Sequence, residues 1–409
     1  MANLITRTRD ILFRRSEKRA RIGLDNHASV LSALNLFTQT KAGANVTPAS
    51  ALSISTVYAC AAKIASTMAQ LNLDLIRTSG RSRETVRIHP AQYVTSRQPN
   101  SLTTPFEFWE TIIANAVLRG VGYAYIQRDG SGQVQLMQVV PNDSVERKEL
   151  NGAYVYRIND DQTVSPDDML EICNLYRMSP ISLHRENIGL AKAAQDYGAQ
   201  YFGNGGQMTG VLSSDTPLRS EQMEIIQKSW SNSMSTAGTK LLPFGFKYAR
   251  IGIAPDEAQF IETRQFQAQE ICRMFGVSPA LVGLESQTTY NNVEQQSLQF
   301  VRHTLTPWAR RIEQELDKKL LTTFEQDEMN FRFRLSDLHR GDSATRAAYY
   351  QTMLQSGVMS INEIREQEML NPTASGDVHL IQVNQFDLTR VGQYSDAIAG
   401  ANTETESNE

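Results

Sequence analysis

PFEFWETIIANAVLRGVGYAYIQRDGSGQVQLMQVV, residues 105–140, changes its hydrophobic period halfway along. The first half predicts a helix over 105–119, because its apolar residues recur at helical spacing on one side. These residues are Phe106, Trp109, Ile112, Ile113, Ala116 and Val117. The second half predicts two strands, 122–128 and 134–140. Gly130-Ser131-Gly132 lies between them and is typical of a hairpin turn.

The flanking residues extend this mixture of helix and antiparallel strand. Residues 51–71 have apolar side chains at helical spacing and predict a helix, which a strand over 73–77 follows. Beyond the hairpin, 153–158 and 169–176 are further strand candidates. Helices combined with a mostly antiparallel sheet in the first 180 residues predict the α+β class.

The middle of the chain predicts two helices separated by a small, glycine-rich segment. The first helix covers 187–202 and ends at the cluster Gly203-Asn204-Gly205-Gly206. The second covers 256–275 and has two different faces. One face is an apolar line formed by Ile261, Ala268, Ile271 and Phe275. The opposite face is a polar line formed by Gln259, Thr263, Gln267 and Glu270.

The clearest helix of the chain lies between Leu298 and Leu320, after a polar stretch at 284–292 that predicts an exposed loop. Pro307 lies inside this helix. An interior proline removes one hydrogen bond and clashes with the preceding turn, so the helix should kink near residue 303. The elements that follow are a strand over 330–335 and two short helices, 342–356 and 360–369.

Composition limits the classes of function. The net charge of the 409 residues is −4, whereas a protein that wraps duplex DNA over its outer surface normally has a basic excess. Basic residues cluster only in 1–24, which is either a solvated arm or an arm that docks on nucleic acid or an acidic partner. No apolar run is long enough to span a membrane, and the N-terminus lacks the apolar region of a secretory signal.

Motifs that carry chemistry are missing from the sequence. The three cysteines, Cys60, Cys173 and Cys272, are far apart, which predicts three buried thiols and neither a zinc site nor a disulfide framework. No Walker A, GxGxxG or GxSxG pattern is present, so we expect no catalytic residue, metal or cofactor. One alternative stays open, a metal-dependent hydrolase or nuclease. Its candidate carboxylates are Asp167, Asp168 and Glu171.

Ten short motifs follow one another between residues 50 and 388. They are SISTVYAC at 53–60, PN at 99–100, FEFW at 106–109, GVGYAY at 120–125, SPI at 179–181, YFGNG at 201–205, FGVSP at 275–279, LVG at 281–283, NEIR at 362–365 and NP at 371–372. In order and spacing this series resembles the portal family of long-tailed, siphophage-type double-stranded DNA phages. Two positions depart from that family: Arg177-Met178 replaces its usual Gly-Leu, and Ser278 precedes a displaced proline.

The resemblance implies a portal fold with an α/β wing, a two-helix stem, a small α/β clip, a long kinked helix and a helical crown. Carried onto this sequence, the parts are a basic N-terminal arm at 1–24, the wing at 25–185, stem helix 1 at 186–204, the clip at 205–254, stem helix 2 at 255–276, the tunnel loop at 277–292, the long kinked helix with a return strand of the wing at 293–340, the crown at 341–390 and an acidic disordered tail at 391–409.

The resemblance also implies residues along a DNA channel. In the tunnel loop these are Thr288, Thr289, Tyr290, Asn291 and Asn292. On stem helix 2 they are Gln259, Thr263, Gln267 and Glu270, the polar line described above, and Pro307 would set the kink of the long helix. A polar lining with few cations suits a channel that DNA slides through, because contacts to phosphate are strong and cumulative.

The function that the resemblance implies is a ring at a unique capsid vertex, through which DNA is packaged and ejected. The implied partners are further copies of this chain in a twelve-subunit ring, double-stranded DNA, the large terminase subunit, a head–tail adaptor, and the major capsid or scaffold protein, with no membrane. Such a ring is a virion component that assembles in the cytoplasm of a bacterial host. The alternatives are a DNA-binding or capsid-lining head protein that uses residues 1–24, and the hydrolase or nuclease named above.

Overall fold

A computed structural model describes the protein at residues 40–150, 153–159, 162–203, 210–214, 224, 246–250, 257–284, 290–339 and 343–380. The arm at 1–24, the tail at 391–409, most of the clip and Thr288 and Thr289 lie outside the described residues. The chain divides into two compact units, Met1–Arg334 and Leu335–Glu409.

The first half of unit 1 alternates helices with short strands. Its helices are α1 (Pro48–Ala51), α2 (Ser55–Ala69), α3 (Pro90–Ser96), α4 (Pro105–Arg119) and α5 (Pro180–Leu183). Its strands are β1 (Leu73–Ser79), β2 (Ser82–Thr85), β3 (Val121–Arg128), β4 (Val134–Val140), β5 (Val145–Leu150), β6 (Ala153–Ile158), β7 (Gln162–Val164) and β8 (Met169–Cys173). The helix predicted at 51–71 corresponds to α2, which is shorter at both ends, whereas Ala51 belongs to the separate short helix α1.

The second half of unit 1 contains the long helices. These elements are α6 (Arg185–Gly203), β9 (Gly210–Ser214), β10 (Phe246–Arg250), α7 (Glu257–Phe275), α8 (Tyr290–Phe300), a π-helical segment (Val301–Leu305), α9 (Thr306–Leu320), α10 (Thr323–Glu328) and β11 (Met329–Phe333). Short 3₁₀ turns lie between some of them, among them Pro166–Asp168, Leu175–Arg177 and Pro279–Val282.

Every strand pairing in the described residues is antiparallel. Three small sheets have the strand orders β11-β1-β2, β4-β3-β8 and β5-β6-β7, and β9 pairs with β10. In the first sheet Leu75 faces Phe331 across 256 residues of sequence, so β11 returns to the start of the unit. The combination of helices with antiparallel sheets confirms the predicted α+β class.

The core of unit 1 lies where α2 packs against α4 and α4 packs against β3. Ile64 and Met68 of α2, and Ile112 and Ile113 of α4, are fully buried. Gly122 on β3 allows this packing, because a Cβ there would lie 2.1 Å from the backbone oxygen of Ile112. Any side chain at 122 would push the strand away from the helix.

One position on α4 differs from the prediction. Phe106, placed on the apolar face by its spacing, is 43% exposed, whereas Phe108 is completely buried. Phe108 packs edge-to-face on Trp109, whose indole N–H donates to the backbone oxygen of Thr95 at 2.9 Å. Phe106 lies in the first helical turn, where periodicity gives the face of a residue but not whether another element covers it.

Unit 2 is helical within its described residues. It contains a 3₁₀ turn, Leu335–His339, and the helices α11 (Ser343–Gln355) and α12 (Ile361–Gln367). A capping box at Ser360 and Glu363 starts α12. Asn362 then holds the segment that follows, since its amide nitrogen donates to the Thr373 oxygen at 3.0 Å and to the Asp377 carboxylate at 2.8 Å. These are the two short helices expected at 342–356 and 360–369.

Candidate functional site

Helices α6 and α7 lie against each other and coincide with the two segments expected to form a stem. The rings of Tyr197 on α6 and Phe260 on α7 have centroids 6.0 Å apart. One residue further on, Gly198 leaves room for the same ring, because a Cβ there would be 3.1 Å from Phe260. The helix pair is therefore held by aromatic contacts near the start of α7.

The four polar residues expected along α7 do not share one exposed face. Gln259 and Thr263 are exposed, and Glu270 is partly covered and pairs with Arg273. Gln267 is only 8% exposed, so the expectation that it lines the same face is wrong for the single chain. It lies about 40° around the helix from Ile271, which is itself buried, and this position draws it into the packed side.

Gln267 is also incompletely satisfied. Its Oε1 is buried and has no hydrogen-bond partner among the described residues. A buried amide oxygen without a donor costs roughly 1–3 kcal/mol, so the single chain carries this cost at the middle of α7.

Two large apolar side chains of α7 lie in the open. Ile261, expected on the buried line, is 57% exposed, and Phe266 is 54% exposed. Ile261 and Phe266 are five positions apart, which corresponds to about 140°, so they lie on different sides of the helix. Phe266 is a residue that the sequence reasoning missed, although an aromatic side chain between Thr263 and Glu270 was a visible signal. A helix with apolar groups beyond its buried stripe is typical of one that contacts a further partner.

The segment after α7 is fixed at its start. Gly276 ends the helix with a φ of +67°, and its backbone oxygen accepts from the Thr304 hydroxyl at 2.5 Å. The Ser278 hydroxyl hydrogen-bonds Gln296 of α8. The FGVSP motif is thus held against the start of the long helix.

Part of the segment expected to be the tunnel loop, 277–292, is helical. Tyr290, Asn291 and Asn292 belong to the first turn of α8 and not to a loop, while Thr288 and Thr289 lie outside the described residues. The scarcity of apolar side chains in 284–292 led to a loop interpretation, but polar residues also begin helices.

The long helix changes its hydrogen-bond pattern where a kink was expected. Residues Val301–Leu305 form a π-helical turn between α8 and α9, and Pro307 is near the start of α9. Both the backbone N–H and the hydroxyl of Thr306 donate to the Val301 oxygen, the hydroxyl at 2.9 Å. A π turn is a usual way to accommodate the backbone groups that a proline leaves without a donor. The angle of the kink itself stays a prediction.

Two of the three carboxylates of the hydrolase alternative, those of Asp168 and Glu171, have other partners. Asp168 pairs with the Arg128 guanidinium at 2.9 Å. Asp167 lies in the 3₁₀ turn that begins at Pro166. Glu171 is buried, accepts from the Tyr156 hydroxyl at 2.6 Å and pairs with Arg177. No group of three or more His, Cys, Asp or Glu side chains that could hold a metal occurs in the described parts of the chain.

The pairing of Glu171 with Arg177 explains one departure from the family pattern. Arg177 has a φ of 57°, a conformation that favours the glycine usual at this position of the family. The buried Glu171 carboxylate holds the guanidinium there, and this ion pair outweighs burial and raises the pKa of Arg177. Burial and the nearby Glu171 also raise the pKa values of Tyr123 and Tyr156, so both hydroxyls stay protonated.

None of the helices in the described residues combines the length and the apolar character needed to cross a bilayer. The candidate site is therefore an arrangement of surfaces: a helix pair with apolar groups exposed on two sides, a glycine-proline segment anchored to the long helix, and a π turn within that helix.

Comparison with known proteins gives consistent matches to this arrangement. A sequence model of the family described as "Phage portal protein" matches residues 55–368. The portal protein of Enterobacteria phage HK97 is 30% identical over 357 residues, which cover 83% of this chain and 84% of that protein. The probable portal protein of Streptomyces phage phiC31 is 29% identical and covers 84% of this chain and 80% of its own length.

Solved structures show the same fold. A crystal structure of an HK97 family phage portal protein from Corynebacterium diphtheriae superposes with a TM-score of 0.58 at 19% identity, covering 72% of this chain and 97% of that one. A chain in the virion of a native gene transfer agent particle superposes with a TM-score of 0.52 at 20% identity, covering 80% and 94%.

Proposed function

Since the chain belongs to the phage portal protein family, we propose that it assembles into a ring at one vertex of a capsid and forms the passage for DNA. In this role it is a virion component. Portal proteins are structural proteins, and we propose no catalytic activity for this one.

The observation that carries the proposal is the extent of the family match. Residues 55–368 include the strands β1–β11, the helix pair α6 and α7, the long helix with its π turn, and α11 and α12. The portal protein of phage HK97 is similar over almost the same share of both chains. A match restricted to one sheet or one helix pair would indicate only shared architecture.

The exposed apolar residues of α7 fit a ring. A closed cyclic ring repeats one heterologous interface, so each subunit needs two different contact surfaces. Ile261 and Phe266 lie on two sides of α7 and are both more than half exposed in the single chain. We propose that each packs against α6 or α7 of one of the two neighbouring subunits.

The remaining polar residues of α7 are proposed to face the channel. Gln259 and Thr263 are exposed and uncharged, and the Glu270 carboxylate is engaged by Arg273. With Thr288 and Thr289 after them in sequence, they would give DNA a lining without free cations. Such a lining limits the cumulative phosphate contacts that would slow translocation.

We further propose that the clip, 205–254, binds the large terminase subunit during packaging and a head–tail adaptor afterwards. The major capsid or scaffold protein would contact the outer part of the wing. A ring of twelve subunits is the stoichiometry that the family implies, and double-stranded DNA is the molecule that passes through it.

The native mass of the purified protein, with negative-stain images of the same fraction, tests the ring. Twelve chains of 45.8 kDa give a mass of about 550 kDa with a central hole. Rings of another size would correct the stoichiometry only. A uniform monomer, even when the capsid and scaffold proteins of the same virus are co-expressed, would overturn the proposal.

Deletion of residues 1–24 distinguishes the ring from a head protein that binds DNA through its basic arm. If the chain forms a portal ring, the truncated protein still assembles rings of unchanged mass. Loss of DNA association together with absence of rings in the intact protein would support the alternative.

A further inference from the structure

Two cysteines that are far apart in sequence meet in the core of unit 1. The Sγ atoms of Cys60 on α2 and Cys272 on α7 are 3.8 Å apart, although 212 residues separate them along the chain. Both side chains have no exposed surface, and both thiols are free. The sequence spacing predicted three independent buried thiols, so this contact between two of them is not visible in the sequence.

The two thiols are not equivalent. The S–H of Cys60 donates to the sulfur of Cys272. This hydrogen bond lowers the pKa of Cys272, which would become the thiolate, and together with burial it raises the pKa of Cys60. A thiolate is the nucleophilic form of cysteine, and a neighbouring thiol is what converts its first oxidation product into a disulfide.

We propose that Cys60 and Cys272 form an oxidation site that takes a small hydroperoxide and becomes a disulfide joining α2 to α7. The sulfur atoms have to approach from 3.8 Å to about 2.05 Å, a movement that small side-chain rotations supply. Neither side chain has exposed surface, so the oxidant has to be as small as hydrogen peroxide and reaches the sulfurs when the packing of α2 against α7 opens locally.

The reaction balances with one peroxide for each pair of thiols. The Cys272 thiolate attacks one peroxide oxygen, an S–O bond forms, the O–O bond breaks, and the departing hydroxide becomes water with the Cys272 proton. The Cys60 sulfur then attacks the Cys272 sulfur, the S–S bond forms and the S–O bond breaks. The second hydroxide leaves as water with the Cys60 proton. The thiols lose two electrons, and the peroxide gains them.

The disulfide would fix the stem to the wing. Helix α7 continues from Cys272 toward the exposed Phe266 and Ile261, whereas α2 belongs to the core of the unit. A covalent link between them closes a loop of more than two hundred residues and therefore restricts the unfolded chain strongly. A virion component leaves a reducing cytoplasm for oxidising surroundings, where such a link persists.

Cys173 provides an internal control. It is more exposed than the other two, and burial together with Glu171 raises its pKa to about 12. Its sulfur lies 3.8 Å from the Glu171 backbone oxygen, which cannot form a disulfide. Peroxide should therefore leave it as a thiol or oxidise it without a cross-link.

The experiment treats the full-length, folded protein with hydrogen peroxide, alkylates the remaining thiols and maps the peptides by mass spectrometry without reduction. The expected product is a peptide pair that joins Cys60 to Cys272, about 2 Da lighter than its two thiols and released by a reductant. Its yield should not depend on protein concentration, and its formation should raise the melting temperature. Cys173→Ser should form the link as fully as the wild type.

The proposal is overturned if peroxide does not link Cys60 to Cys272. It fails if Cys60 and Cys272 are both still alkylated after Cys173 has been oxidised, or if each carries its own sulfinic acid. In Cys60→Ser the link must be absent, and Cys272 should proceed to the sulfinic acid because no resolving thiol is present. Should that variant not fold, the peptide map of the wild type alone decides.

Discussion

Helices α4 and α7 differ in how fully a single chain buries their apolar side chains and supplies hydrogen-bond partners to their buried polar groups. On α4, Phe108, Ile112 and Ile113 have no exposed surface, and the indole N–H of the neighbouring Trp109 has its acceptor. On α7, Phe266 is more than half exposed, and Gln267 is buried with an oxygen that lacks a donor among the described residues. The first helix is complete within its own subunit, and the second is not.

This difference allows the effects of substitutions on folding to be distinguished from their effects on assembly. Residues in the α4 region should change the stability of the single chain, because their contacts all lie within it. Exposed residues of α7 should change the formation of the ring, because we propose that they contact the neighbouring subunits. The following four variants test that separation, from the largest expected effect to the smallest.

Phe108→Ala should lower the free energy of unfolding of the chain by about 3–5 kcal/mol, the usual cost of emptying a phenylalanine site in a core. Chemical denaturation of the full-length protein measures it. Phe106→Ala is the matched control, because Phe106 is on the same helix but 43% exposed, and it should cost less than about 1 kcal/mol. Equal losses in the two variants would show that α4 is not packed as described.

Gln92 and Gln267, both buried, test the same contrast between α7 and the rest of the core with polar side chains. Gln92 accepts from the Leu75 N–H at 2.7 Å and donates to the Leu73 oxygen at 2.9 Å, so it is fully used. Gln92→Leu should cost about 1–3 kcal/mol, since it leaves these backbone groups without partners.

Gln267→Leu should act in the opposite direction. It removes a buried oxygen that has no donor in the part of the chain that the structure describes, and it should raise the free energy of unfolding by about 1 kcal/mol in the unassembled chain. Denaturation curves of the two variants at one protein concentration give the comparison. A loss of stability in Gln267→Leu as large as that in Gln92→Leu would mean that the amide of α7 is satisfied within the subunit.

Phe266→Ala should leave the stability of the single chain within about 0.5 kcal/mol of the wild type. It should reduce the fraction of protein in rings by about tenfold at equal concentration, because the proposed aromatic contact would be lost at every interface. Native mass spectrometry measures both species. Phe324→Ala, which removes an 88% exposed ring outside the stem, is the control and should assemble normally.

This contrast also explains what the sequence could and could not reveal. The hydrophobic period and the turn residues were enough to predict α4, the hairpin after it, and the helices α6 and α7. Helical spacing predicted that Phe106 and Ile261 would be buried, but both are exposed. A helical period identifies the face on which a residue lies but not whether another element covers that face. The contact between Cys60 and Cys272 needs the packing of α2 against α7, and no local pattern encodes it.

The smallest expected effect on stability comes from Glu315 on α9. Burial of this carboxylate disfavours its ionised form. Burial raises its pKa, and Lys319, 3.9 Å away, offsets this only in part. Because the folded-state pKa exceeds the unfolded one, the contribution of Glu315 to stability is complete below the unfolded pKa and is lost as the pH rises through the folded pKa. Glu315→Gln should therefore melt higher than the wild type at pH 7 and equal it near pH 4.

Glu325 gives the opposite sign and serves as the control for Glu315. Burial alone would raise its pKa, but hydrogen bonds from His89 and Thr322 outweigh burial and lower it. Its contribution is present above the unfolded pKa and disappears as the pH falls through the folded one. Glu325→Gln should accordingly melt lower than the wild type at pH 7, with the difference shrinking toward acid. If both variants shift in the same direction at pH 7, burial does not decide the cost of Glu315, and the long helix is more open to water than its packing against β8 and β11 indicates.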